Sequence, residues 1–183
     1  MTLPILQTQR LLLSLLTLED VPTFATYRND PEIARYQYWY PVTEEAVRDL
    51  VEQHHRLPFG TQDQWFQFGI RLQADRTLIG DIGIHFLDSK FEIAEIGYAI
   101  SPLYQKQGYA VESVRAMLNY CFTSTPLIKI HATCDSRNTL SMHLLEKVGF
   151  TQQLIRPNAI FLRGEWSTEV DYAFTREQSR KNP

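Results

Sequence analysis

The chain has 183 residues, 44% of them hydrophobic and 21% charged, with a formal net charge of −3; this suits one folded domain with a substantial core and excludes a disordered chain. There is no basic footprint for nucleic acid, no apolar run near the roughly 20 residues that span a bilayer, and no charged start and apolar core of a signal peptide in residues 1–10. Cys121 and Cys134 form no Cys-x-x-Cys pair and the five histidines have no metal spacing, so the expectation is a cytoplasmic protein with no metal and no nucleic-acid or membrane partner; a homodimer stays open.

In chain order, residues 10–16 read as a first strand, followed by a helix start at Thr17 to Asp20 that presents Val21, Phe24 and Ala25 on one face. Residues 32–40 crowd Tyr36, Tyr38, Trp39 and Tyr40 ahead of Pro41. Thr43 then caps a helix whose Glu44 and Glu45 suit the dipole and whose Val47, Leu50, Val51 and His54 form one stripe. Residues 65–72 alternate apolar and polar side chains, and with residues 78–87 and 91–100 they predict a three-strand antiparallel meander. Gly97 inside the third strand marks a bulge or a close backbone approach.

A helix from Gly108 buries Val111, Val114, Met117, Leu118 and Cys121 and ends before Thr125-Pro126. Residues 127–133 read as a strand and 137–148 as a helix, an order that gives a parallel crossover. Residues 150–155 and 167–174 close the sheet as an antiparallel pair, with 156–164 as their connection and 176–183 as a loose tail. The expected fold is one mixed α/β domain over 1–183, its core at about 8–175, with a mainly antiparallel sheet and flanking helices.

The junction at Ile100 to Ala110 carries the chemistry. A strand ends at Ser101-Pro102, and the chain turns through Gln105-Lys106-Gln107-Gly108-Tyr109-Ala110 into a helix. Such a junction aims unpaired backbone N–H groups and the positive end of the helix dipole at one spot, where a phosphate binds well. Gly108 is not followed by Lys-Ser/Thr and there is no Gly-x-Gly-x-x-Gly, which excludes a triphosphatase loop and a dinucleotide fold.

Gln105-x-x-Gly108-x-Ala110 instead resembles the pyrophosphate loop of the GNAT superfamily, the acetyl-coenzyme A dependent N-acetyltransferases. Asn138-x-x-Ser141 followed by Lys147-Val148-Gly149-Phe150 resembles the family's second motif, in the family's order and distance. Thr8-x-Arg10-Leu11-x-Leu13 and Gly164-x-Trp166 resemble the ribosomal-protein alanine acetyltransferase (Rim-type) branch. The resemblance implies the acyl-CoA N-acyltransferase fold, in which the strand carrying Gly97 splays from its neighbour and the pantetheine arm lies in the gap. It also implies acetyl-CoA contacts at Tyr98, Ala99, Ile100, Gln105, Lys106, Gln107, Gly108, Tyr109, Ala110, Asn138 and Ser141, with the Tyr36 to Tyr40 cluster on the acceptor side. The acid common in the family, a Tyr seven residues after the Asn, is replaced by Leu145.

Acetyl transfer to an amine needs a group that drains the ammonium proton, donors for the oxyanion and a proton for the leaving thiolate. Glu95, on the side of Ile93 and Gly97, is a candidate base; its alternative is a solvated cross-strand charge. Glu112, in the first turn after the loop, is a catalytic candidate whose alternative is a structural carboxylate favoured by the dipole. Ser141 is the candidate contact for the thiolate, and backbone N–H groups between Gly97 and Ile100 are candidates for the oxyanion. Two functions follow: an N-acetyltransferase acting by direct transfer on a protein N-terminus or a small cationic amine, or a non-catalytic acyl-CoA sensor.

Overall fold

The computed structural model describes residues 4–181. In chain order the elements are β1 (Leu6–Gln7), β2 (Leu11–Leu15), α1 (Val21–Arg28), α2 (Pro31–Ala34), α3 (Glu44–Arg56), β3 (Trp65–Leu72), β4 (Leu78–Phe86), β5 (Ile93–Ile100), α4 (Tyr109–Ser124), β6 (Lys129–Asp135), α5 (Thr139–Val148), β7 (Thr151–Leu162), β8 (Glu165–Thr175) and α6 (Arg176–Lys181). The strands form one sheet in the order β1-β2-β3-β4-β5-β6-β8-β7. Only β5 and β6 pair in parallel; every other neighbour is antiparallel. This is the expected mixed α/β architecture.

Local chemistry fixes the element ends. The Thr43 hydroxyl accepts from Ala46 N at 3.1 Å to cap α3, and Asn138 Oδ1 accepts from Ser141 N at 3.1 Å to cap α5. Alternation along the strands then sorts side chains to two faces. Phe66, Phe68, Ile70, Ile82, Ile84 and Ile96 pack with Val114, Met117 and Leu118 of α4 and Leu145 and Val148 of α5. Leu78 and Ala99 pack in a second cluster with Leu16, Val21, Phe24, Val47 and Val51. Each fully buried Phe or Ile contributes about 1.5–3 kcal/mol.

Four sequence expectations are corrected. Residues 156–164 are not a connection: β7 runs to Leu162 as an edge strand, and the turn is Arg163 and Gly164 alone, both with positive φ. Pro157 is tolerated there because the ladder shifts register between Arg156 and Ile160. Residues 176–181 are not loose: they form α6, and the Arg176 guanidinium donates to Leu127 O at 2.6 Å and to Thr125 O at 2.6 Å. Residues 182–183 of that predicted tail, and 1–3 of the segment tested for a signal peptide, lie outside the described residues. Gly97 makes no bulge, since its register with β4 is continuous from Gly80↔Ile100 to Phe86↔Ala94. The predicted helix at 137 begins at Thr139, with Asn138 outside it as the cap.

Candidate active site

The site is built by a sheet that comes apart. β5 and β6 pair only through Ile93↔Lys129, Ala94↔Ile130 and Glu95↔His131, and beyond Glu95 the two strands have no ladder. The gap is lined by Ile96, Gly97 and Tyr98 on one side and Ala132, Thr133, Cys134 and Asp135 on the other. It opens into a cavity of about 440 Å³, within the range of roughly 300–1,000 Å³ that small-molecule sites occupy.

Which backbone groups face the gap follows from the antiparallel ladder. Ser101 N donates to Ile79 O at 2.9 Å and Leu87 N donates to Ile93 O at 3.0 Å, so the odd-numbered residues of β5 spend their backbone bonds on β4. The even-numbered ones face β6, and Gln105 Nε2 meets the carbonyl of Ile100 at 3.0 Å. Tyr98 and Ile100 therefore turn their amides toward the gap. Gly97 and Ala99 do not, and Ala99 is buried in the cluster on the α1 and α3 side; the expectation that Ala99 contacts the cosubstrate and that Gly97 offers an N–H is corrected on that ground.

The loop has the form of an anion cradle. Lys106 and Gly108 both have positive φ, +61° and +83°, and Gly108 is the N-cap of α4 with no side-chain bond closing the helix end. Glu112 N is the first amide of the helix to bond back, to Gly108 O at 3.1 Å. The amides of Tyr109, Ala110 and Val111 thus precede the first intrahelical bond. Gln105, Lys106 and Gln107 lead into this turn.

Glu112 is not in the cleft. Its Oε1 accepts from Thr8 Oγ1 at 2.6 Å and from Arg10 N at 3.0 Å, while Oε2 takes Arg10 Nε at 2.7 Å. Burial acts to raise its pKa, but these bonds outweigh burial and hold it low. A carboxylate so engaged suits the structural role, and its absence from the cleft lining speaks against the catalytic role expected of it.

The cleft itself carries Glu95, Tyr98, Asn138 and Ser141, with Tyr36, Tyr38, Trp39 and Trp65 around them. Burial raises the Glu95 pKa above its usual value, with His85 opposing from 3.9 Å. Ser141 Oγ lies 2.9 Å from the Tyr98 hydroxyl, and burial raises the Tyr98 phenol far above its usual value, against the Ser141 bond. A neutral hydroxyl pair therefore stands where Leu145 offers no acid. Burial also pushes the Cys134 thiol up to about 11, with Ser141 opposing.

Sequence reasoning put the Tyr36 to Tyr40 cluster on the acceptor side but missed the polar groups that hold the opposite wall. The Tyr38 hydroxyl donates to Glu169, which also pairs with Arg156 at 2.8 Å, and burial followed by that bond raises the Tyr38 phenol. Burial works to raise Asp135, yet bonds from Arg137 and Ser167 hold it at about 2. Beneath the cleft, fully buried Asp81 accepts from Tyr27 at 2.6 Å, from Arg28 Nε at 2.9 Å and from Gln67; Arg28 and Gln67 reach the cavity. The available signal was polar residues at alternate positions of a strand, Ser167, Glu169 and Asp171.

The family model described as an acetyltransferase (GNAT) domain matches residues 10–151. The chain belongs to the GNAT acetyltransferase family. It is 32% identical over 162 residues to the uncharacterized N-acetyltransferase YoaA of Bacillus subtilis, covering 88% of this chain and 90% of YoaA. In fold it resembles the spermidine N-acetyltransferase of Vibrio cholerae in complex with CoA and spermine, with a TM-score of 0.82 and 22% identity over 93% of this chain and 98% of that one. It also resembles RimL, a ribosomal alpha-N-protein acetyltransferase in complex with coenzyme A, with a TM-score of 0.83 and 19% identity over 94% and 98% of the two chains. The protein is thus an acetyl-CoA-dependent N-acetyltransferase, and the sensor reading falls. Among the described residues no cluster of His, Cys, Asp and Glu could hold a metal, and no helix is long and apolar enough to cross a membrane.

Proposed function

We propose that the enzyme moves an acetyl group directly from acetyl-CoA to the primary amine of a cationic acceptor, with both substrates bound together. The carrying observation is the single cavity in which Glu95 stands beside the unpaired stretch of β5. The loop from Gln105 to Ala110 holds the pyrophosphate, the pantetheine lies in the β5–β6 gap near Asn138 and Ser141, and the amides of Tyr98 and Ile100 polarise the thioester carbonyl. Glu95 takes the ammonium proton, and the Ser141 and Tyr98 hydroxyls donate to the departing sulfur.

The acceptor class rests on the cavity walls. Aromatic faces and carboxylates attract a cation, and Tyr36, Tyr38, Trp39 and Trp65 with Glu95 and Asp135 supply both. This favours a small cationic amine. A protein N-terminus is the second reading, resting on the opening motif that resembles the Rim-type branch. Initial rates with both substrates varied test the scheme: intersecting lines support a ternary complex, whereas parallel lines would rule it out. Comparing kcat/KM for linear diamines and for short peptides with free N-termini separates the acceptors.

A further inference from the structure

The loop's own geometry leaves one peptide plane undetermined. Between Lys106 and Gly108, both at positive φ, glycine lets the Gln107–Gly108 peptide rotate at little steric cost. Because a trans peptide points its C=O and the next N–H in opposite directions, that rotation decides whether the Gly108 amide faces the anion site or away from it. Something outside the loop has to hold the carbonyl.

Arg10, the residue before β2, does so from 97 residues away: its Nη1 donates to Gln107 O at 3.0 Å. The same guanidinium is fixed by Glu112 in the first turn of α4, through Nε at 2.7 Å and Nη2 at 2.6 Å, and by stacking 4.4 Å over the Tyr109 ring. Thr8 adds its hydroxyl to the Glu112 carboxylate at 2.6 Å. One side chain thus touches the residue before Gly108, the residue after it, and the helix that follows.

We infer that Arg10 is a positioning residue for the cosubstrate: held by Glu112, it pins the Gln107 carbonyl so that the Gly108 amide stays turned toward the phosphates. The inference rests on the loop's being the pyrophosphate site. It also reassigns Thr8 and Arg10, whose resemblance to the Rim-type branch bears on the acceptor, to the acetyl-CoA side.

Calorimetric titration of CoA into the protein tests it without depending on any amine. Arg10→Ala should bind CoA about tenfold more weakly than wild type, the loss expected when a partly exposed charge-assisted bond is removed, and by the same factor in low and high salt. Glu112→Gln, which still accepts from Thr8 and from the Arg10 amide but no longer carries the charge that holds the guanidinium, should weaken CoA binding less than Arg10→Ala does, because Arg10 can still donate to Gln107 O. Wild-type affinity in Arg10→Ala would overturn the inference. So would a loss in Glu112→Gln as large as that in Arg10→Ala, which would make Arg10 only a brace for Glu112, or a loss confined to low salt, which would make it a direct phosphate contact. No CoA binding by folded wild type would overturn the loop reading together with it.

Discussion

Replacing Glu95 by Gln removes the proposed proton acceptor while keeping the side chain's shape. General bases contribute roughly 10²–10⁴ in rate, and Glu95, 30% exposed with the His85 ring 3.9 Å away, has neither full burial nor a tight partner to sharpen it. The expected loss in kcat at neutral pH is therefore at the lower end, about a hundredfold, or ~2.8 kcal/mol of barrier. Affinity for CoA should not change. An amine with a pKa near 10 is about one part in a thousand neutral at pH 7, so solution takes over the proton as pH rises and the gap between variant and wild type should shrink by about tenfold per pH unit. On the acid side, wild-type activity should fall as pH drops through the Glu95 pKa, which burial raises above 4.5. The assay is thiol release from acetyl-CoA between pH 4.5 and 9.5. A variant within about threefold of wild type at neutral pH, or a gap that does not vary with pH, would refute Glu95 as the base.

Tyr38→Phe removes the hydroxyl bound to Glu169 on the acceptor wall. It should raise the acceptor KM about fivefold, the value of one hydrogen bond of ~1 kcal/mol, and leave CoA binding unchanged in calorimetry. Asp81→Asn leaves the buried Arg28 guanidinium without its counter-charge; denaturant unfolding should show a loss of about 3 kcal/mol. His54 is 1% exposed, and burial lowers its pKa from 6.5 to about 4, with the Trp65 backbone opposing. Its neutral form favours the folded state above pH 6.5, and roughly 3 kcal/mol of that stability is lost as pH falls from 6.5 to 4. A His54→Leu variant should unfold with a flatter pH dependence over that window.

The central strands were legible because their signal is local. In residues 65–72 the alternation Phe66, Phe68, Ile70, Leu72 against polar neighbours matches β3 to the residue, and the turn residues around it fix β4 and β5 within two positions. The turn into α4 was legible for the same reason, since Gly108 and the helix start after it declare themselves in six residues. What failed depended on partners distant in sequence. Residues 156–162, with Pro157 and Asn158, look like a loop and become a strand only because β8 pairs with them. Nothing in the residues around the loop announces Arg10, which the fold brings against Gly108. The gap itself was expected through family resemblance, but the residues that face it, Tyr98 and Ile100 rather than Ala99, follow from a hydrogen-bond register that no periodicity encodes.

The most direct measurement is thiol release by the purified wild type, with acetyl-CoA present and primary amines added one at a time. The account predicts amine-dependent release that saturates in both substrates, with mass spectrometry finding one acetyl group on the amine nitrogen. Tight CoA binding with release that stays at the amine-free rate, for small cationic amines and peptide N-termini alike, would contradict it.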